Sequence, residues 1–162
     1  MLRAVDYLHS NGFAHRDIKL QNIYICDEKH NLKAKLLEFK CVDKCLSGEK
    51  IIRDKTWFGT DKYLSPETLE RVLHDPQTNL SFGLLFLGVC NCFPFSEGED
   101  ITSDRGRDIM LNNQLNHKYL IPPSIQLSMN CLQMYRLLIT PEYSSRPTAK
   151  QALKHCFVKE LV

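Results

Sequence analysis

His15-Arg16-Asp17-Ile18-Lys19-Leu20-Gln21-Asn22 is the stretch on which the reading of this chain turns. It places a carboxylate, an ammonium and a carboxamide within six residues, at positions 17, 19 and 22. The elements around it follow from spacing. Ahead of it, Leu2, Val5 and Leu8 recur at helical spacing, and Asn11-Gly12 supplies a stop. That helical pattern runs back to Met1 with no capping residue before it, as in a truncated helix. Behind the run, Ile18 to Cys26 reads as loop and then short strand. Lys29-His30-Asn31 reads as a turn, and Leu32 to Phe39 as a second strand, so a hairpin is expected.

Further along, residues 40–67 are polar and irregular, with Ser47-Gly48 and Gly59 as breakers. From Leu80 the pattern is helical. Leu80 to Cys92 is apolar nearly all round, which suits a buried central helix. Arg107 to Leu115 reads as an amphipathic helix. After Pro122-Pro123, Ser124 is placed to cap a helix with Leu127, Cys131, Met134, Leu137 and Leu138 on one face, stopped by Pro141. Thr148 opens a last helix, with Ala149, Ala152 and Leu153 inward, that ends near Phe157. One mainly α domain with a small β-hairpin near its start is the expected architecture.

Composition excludes several classes. The 162 residues are 43% hydrophobic and 25% charged, as in an ordinary globular domain. A net charge of +2 gives no reason to expect nucleic acid or an anionic membrane as partner. No apolar run approaches the roughly 18 residues of a membrane span. The longest, Phe82 to Cys90, is interrupted by Gly83 and Gly88, and Met1-Leu2-Arg3-Ala4-Val5-Asp6 is no signal peptide. The seven cysteines are an odd number for a disulfide framework, and their spacings lack the paired pairs of a zinc site. Reduced thiols in an intracellular, cytoplasmic protein, with the nucleus left open, are the expectation.

The order of elements, together with His15 to Asn22, resembles the C-terminal lobe of a eukaryotic protein kinase, and the resemblance covers nearly the whole chain. The run fits the catalytic-loop pattern H-R-D-x-K-x-x-N. Tyr7 to Gly12 resembles the end of the preceding helix, and Thr56 to Tyr63 the end of the activation loop. Ser65-Pro66-Glu67 stands where the family has A-P-E, and Ser81-Phe82-Gly83 resembles a W-S-x-G helix start. Arg146 falls where the family carries a late arginine that pairs with that glutamate. Several ordered motifs at the right separations carry more weight than any one alone.

The resemblance implies a kinase-like fold. The catalytic loop would be residues 15–22, the activation segment 38–67 and the helical subdomain 78–162. An N-terminal β lobe is expected to be absent from the chain. The implied reaction is Mg·ATP-dependent phosphorylation of Ser or Thr hydroxyls on a protein substrate. Asp17 would accept the hydroxyl proton, Lys19 would neutralise the moving phosphate, and Asn22 and Glu38 would hold magnesium. Lys19 and Thr60, whose hydroxyl would reach Asp17 and Lys19, point to the serine/threonine branch. The wording of the loop is similar to calmodulin-dependent and testis-specific serine kinases. Arg16 implies control by an upstream kinase that phosphorylates Thr56 or a neighbour. His15 would pack against Phe39, and Glu67 against Arg146. A monomer is expected.

Departures from the pattern favour a second reading, a catalytically impaired pseudokinase or truncated fragment that binds proteins. D-F-G appears as Glu38-Phe39-Lys40, which lengthens the carboxylate by a methylene and adds a cation and a side chain where glycine stood. Tyr24 replaces the usual aliphatic residue under the adenine. A stabilising aspartate of the central helix is replaced by Thr78 or, with a short gap, Asn79. No G-x-G-x-x-G loop, V-A-I-K lysine or helix glutamate occurs, so tight ATP binding by this chain alone is not expected. Lys50, Arg53, Lys55 and Lys62 are open between a phosphate-steering patch and a solvated face.

Overall fold

The computed structural model describes residues 1–28, 31–44, 59–70, 95, 100–119 and 121–159. The turn residues Lys29 and His30, the helix expected over Leu80 to Cys92, Ser81-Phe82-Gly83, Thr56, Lys50, Arg53, Lys55, Thr78 and Asn79 lie outside the described residues.

Helix α1 spans Leu2–Ser10, starts on Met1 with no side-chain cap, and ends at Asn11. Gly12 follows at φ 75°, a left-handed turn that glycine takes without steric cost. Two small antiparallel sheets come next. Strand β1 (Phe13–Ala14) pairs with β4 (Asp43–Lys44), and β2 (Ile23–Asp27) pairs with β3 (Leu32–Leu36). The β2–β3 hairpin aligns Ile23 with Leu36 and Asp27 with Leu32, and mutual backbone bonds between Glu28 and Asn31 close its end. The expected hairpin is present. The β1–β4 pair was not foreseen, because two-residue strands carry no period to read.

Among the described residues, short α2 (Pro66–Leu69) is followed by α3 (Asp104–Leu115), α4 (Met129–Leu138), α5 (Ala149–Ala152) and α6 (Cys156–Lys159). Three of these starts are set by hydroxyl caps. Ser103 Oγ accepts from Gly106 N, which begins α3 three residues earlier than its apolar pattern suggests. Ser128, not Ser124, caps α4, accepting from Cys131 N. Ser124 is used up in a turn that Ile125 N closes on the Pro122 carbonyl. Thr148 and Gln151 form a reciprocal capping box on α5. The last helix is split. The backbone tightens after Ala152, and His155 starts a new turn by accepting Phe157 N on Nδ1.

The core gathers Val5 of α1, Ile18 of the loop, Tyr63 and Leu64, Ile101, Met110 of α3, Tyr135 and Ile139 at α4, and Ala149 of α5. On α4, Cys131, Met134 and Leu138 are buried as expected, but Leu137 is exposed and Tyr135 takes the inward place. Ile18 is 2% exposed, so the quoted stretch is anchored to this core by its central residue.

Helix α3 crosses its neighbouring loop at Gly106, where an added Cβ would lie 2.0 Å from the Asp100 carbonyl oxygen. Gly106→Ala should therefore destabilise, against the helix-propensity trend, by about 1–3 kcal/mol. A urea-unfolding midpoint at or above that of the parent would disprove the close approach.

Candidate active site

His15, Arg16 and Asp17 leave β1 through a kink. Arg16 has φ 65°, a left-handed value that costs a non-glycine residue about 1–3 kcal/mol and persists only where neighbours hold it. His15, 2% exposed, does part of that holding. The Asp17 amide can only donate, and it donates to His15 Nδ1 at 3.3 Å. The ring proton is therefore on Nε2, which donates to the Leu37 carbonyl at 3.0 Å. Phe39 stands edge-on to the imidazole, with ring centroids 5.3 Å apart.

Burial lowers the His15 pKa below its usual 6.5, opposed by the Leu37 carbonyl and the Asp17 charge. Below pH 6.5 the unfolded chain takes up a proton that the folded ring refuses, so stability falls with pH through the depressed value. Denaturant midpoints measured from pH 7 to pH 5 should fall, and His15→Gln should flatten that slope. An unchanged slope in the variant would remove His15 from the account.

Asp17 is the centre of a closed polar cluster. Its Oδ1 accepts the Thr60 hydroxyl at 2.8 Å. Its Oδ2 accepts Asn22 Nδ2 and Lys19 Nζ, each at 2.9 Å. Lys19 Nζ also donates to Thr60 Oγ1 at 2.7 Å, so the three side chains form a triangle. Asn22 Nδ2 reaches the Asp17 backbone carbonyl as well, at 2.7 Å. The 3₁₀ turn Leu20–Asn22 buries Asn22 at 3% exposure, and its own carbonyl accepts Leu37 N. Burial alone would raise the Asp17 pKa, but the bonds from Lys19, Thr60 and Asn22 outweigh it and hold the carboxyl below its usual range. Thr60 arrives by way of Gly59, at φ 118°, where a Cβ would press on Leu64 and the Arg16 carbonyl oxygen.

The remaining residues singled out in the sequence fall around this cluster. Glu38 also has left-handed backbone, at φ 58°, and its Oε2 pairs with Lys40 Nζ at 2.9 Å, both groups largely in solvent. The hydrogen bond that Lys40 donates to Glu38 raises the Lys40 pKa. Lys40 does not itself adopt the left-handed conformation, so the glycine freedom expected at 40 is not required there. Tyr24 is exposed on β2, opposite Lys35. Glu67 and Arg146 meet in a buried bidentate pair, Nη1–Oε1 2.6 Å and Nη2–Oε2 2.7 Å. Arg16 donates from Nε to the Cys41 carbonyl at 2.7 Å and meets Asp43 Oδ2 at 3.2 Å. The Asp43 contact had no signal in the sequence, since it depends on the β1–β4 pair.

A carboxylate, an ammonium and a hydroxyl locked together beside a buried carboxamide match the loop pattern in space as well as in sequence. The protein kinase domain profile matches residues 1–158. This chain belongs to the protein kinase family. Its curated relatives are serine/threonine kinases. It is 30% identical over 162 residues to human calcium/calmodulin-dependent protein kinase type IV, covering 98% of this chain and 32% of that protein. It is 27% identical over 161 residues to mouse testis-specific serine/threonine-protein kinase 1, covering 96% of this chain and 41% of that kinase. The Caenorhabditis elegans serine/threonine-protein kinase plk-2 is 29% identical over 160 residues, covering 98% of this chain and 23% of that kinase. The chain therefore spans less than half the length of each of these kinases. Among its described residues, no helix is long and apolar enough to cross a membrane, and no three His, Cys, Asp or Glu side chains gather as a metal site.

Proposed function

We propose that this chain is the C-terminal lobe of a serine/threonine protein kinase and presents a substrate hydroxyl to Asp17 for phosphoryl transfer. The observation that carries this reading is the Lys19–Asp17–Thr60 triangle, with Asn22 fixing the same carboxylate. Kinases act on protein substrates and use ATP and Mg²⁺, and bound Mg·ATP supplies the phosphoryl group. A carboxylate held below its usual range is a weak base in the resting state, so its first contribution is to orient a Ser or Thr hydroxyl. It takes the proton as the oxygen loses it. Lys19, already at the carboxylate, neutralises charge on the group in transit.

Magnesium takes one or two protein oxygens and completes its shell from phosphates and water. With Asn22 Nδ2 committed to Asp17, Asn22 Oδ1 would be the atom left for a cation, and the Glu38 carboxylate would be the second donor. Tyr24 would border the adenine. We assign the chain to the cytoplasm as a monomer. Phosphorylation of a generic Ser/Thr protein substrate, lost in Asp17→Asn, tests the reading.

One observation favours the alternative of an impaired pseudokinase that serves as a protein-binding module. Lys40 occupies the Glu38 carboxylate that a metal needs. The pair is solvated, so its hold is modest, and Lys40→Gly should improve apparent Mg²⁺ affinity about two- to fivefold. The magnesium dependence of the thermal shift given by ATP measures this. A titration that Lys40→Gly does not move would clear Lys40 of blame. No shift in either protein would leave the partner-binding reading in front.

A further inference from the structure

Arg16 is already engaged. Its side chain is only 15% exposed, its Nε is on the Cys41 carbonyl, and its Nη1 is on Asp43 Oδ2. The Asp43 carboxylate is itself oriented, because Oδ1 accepts the Lys44 amide at 2.8 Å. The backbone brings the two residues together independently. In the β1–β4 ladder Asp43 stands opposite Ala14, two residues before Arg16, and Phe13 opposite Lys44. Arg16 precedes Asp17 directly and is held at φ 65°, so whatever fixes Arg16 fixes the backbone from which Asp17 projects.

We propose that Asp43 is a positioning residue, a resident carboxylate that sets Arg16, and through it Asp17, with no phosphate added to the chain. This rests on the kinase reading above and replaces the expectation that Arg16 waits for a phosphate on Thr56 or a neighbour. Through Oδ2 the carboxylate gives the guanidinium an anionic oxygen acceptor, as a phosphate oxygen would. The segment from Phe39 to Lys44 is thereby docked on the catalytic loop in the unmodified protein.

Hydrogen exchange on the whole chain, confirmed free of phosphate by mass, tests this without requiring phosphoryl transfer. Its failure is thus separable from failure of the kinase reading. Amides of residues 14–17 and 41–44 are expected to be protected in the phosphate-free parent. Asp43→Asn should speed their exchange about tenfold, as expected when a charged hydrogen-bond partner is lost. Asp43→Glu should return it to within about twofold, and amides of α4 should not change in either variant. Parent amides at 41–44 exchanging within about threefold of an unstructured peptide would overturn the proposal, even where Asp43→Asn fails to fold. Equal exchange in parent and Asp43→Asn would overturn it too.

Discussion

Replacing Arg146 by alanine is expected to lower stability by about 3–5 kcal/mol, because it strands a buried carboxylate. The Arg146 side chain is wholly buried and that of Glu67 is 5% exposed. The guanidinium also donates to the Thr140 and Pro141 carbonyls, so one side chain ties α2 to the loop after α4. For a chain of this size that loss moves the melting temperature by on the order of 10 °C. Glu67→Gln with Arg146→Met should cost much less than the sum of the single changes, because neither charge is then left alone. Acid should act like the single variant. Burial would raise the Glu67 pKa, but Arg146 outweighs it and holds it below the usual 4.5. The stabilisation is therefore complete above pH 4.5 and is lost as pH falls through the depressed value. Additive single and double variants in urea unfolding would show that the pair is not a unit.

Asp17→Asn is expected to lower phosphoryl transfer about 10²- to 10⁴-fold, the usual worth of a positioned proton acceptor. The carboxamide keeps the size of the side chain and one oxygen for Lys19, so the melting temperature should move little. Thr60→Ala should give a smaller loss that Thr60→Ser restores, since the hydroxyl is what bridges Asp17 and Lys19. Full activity in Asp17→Asn would mean that the transfer does not run through this carboxylate.

The sequence showed the helices where caps and period agreed, and missed where two signals competed. Ser124 and Ser128 both qualify as caps, and only the turn at Pro122 decides between them. The last helix broke at His155, whose side chain can cap as well as continue. The cluster around Asp17 was legible because three of its members share eight residues of sequence. Thr60 and Arg146 were reachable only by resemblance, lying 43 and 79 residues from Asp17 and Glu67 respectively. Asp43 was not legible at all. A two-residue strand leaves no pattern, and a lone aspartate in a polar stretch resembles any solvated charge.

Just beyond Thr60, Tyr63 and Leu64 are buried in the main core, and Gln114 of α3 clasps the Leu64 carbonyl at 2.9 Å. The stretch that carries Thr60 to Asp17 is thus built like an interior wall rather than a gate. The Thr60 hydroxyl is held beside Asp17 by a finished scaffold, and little conformational entropy is left to spend on ordering it. Shortening Gln114 would strand the Leu64 carbonyl and loosen the end of the cluster that holds Thr60 without touching a single acid or base.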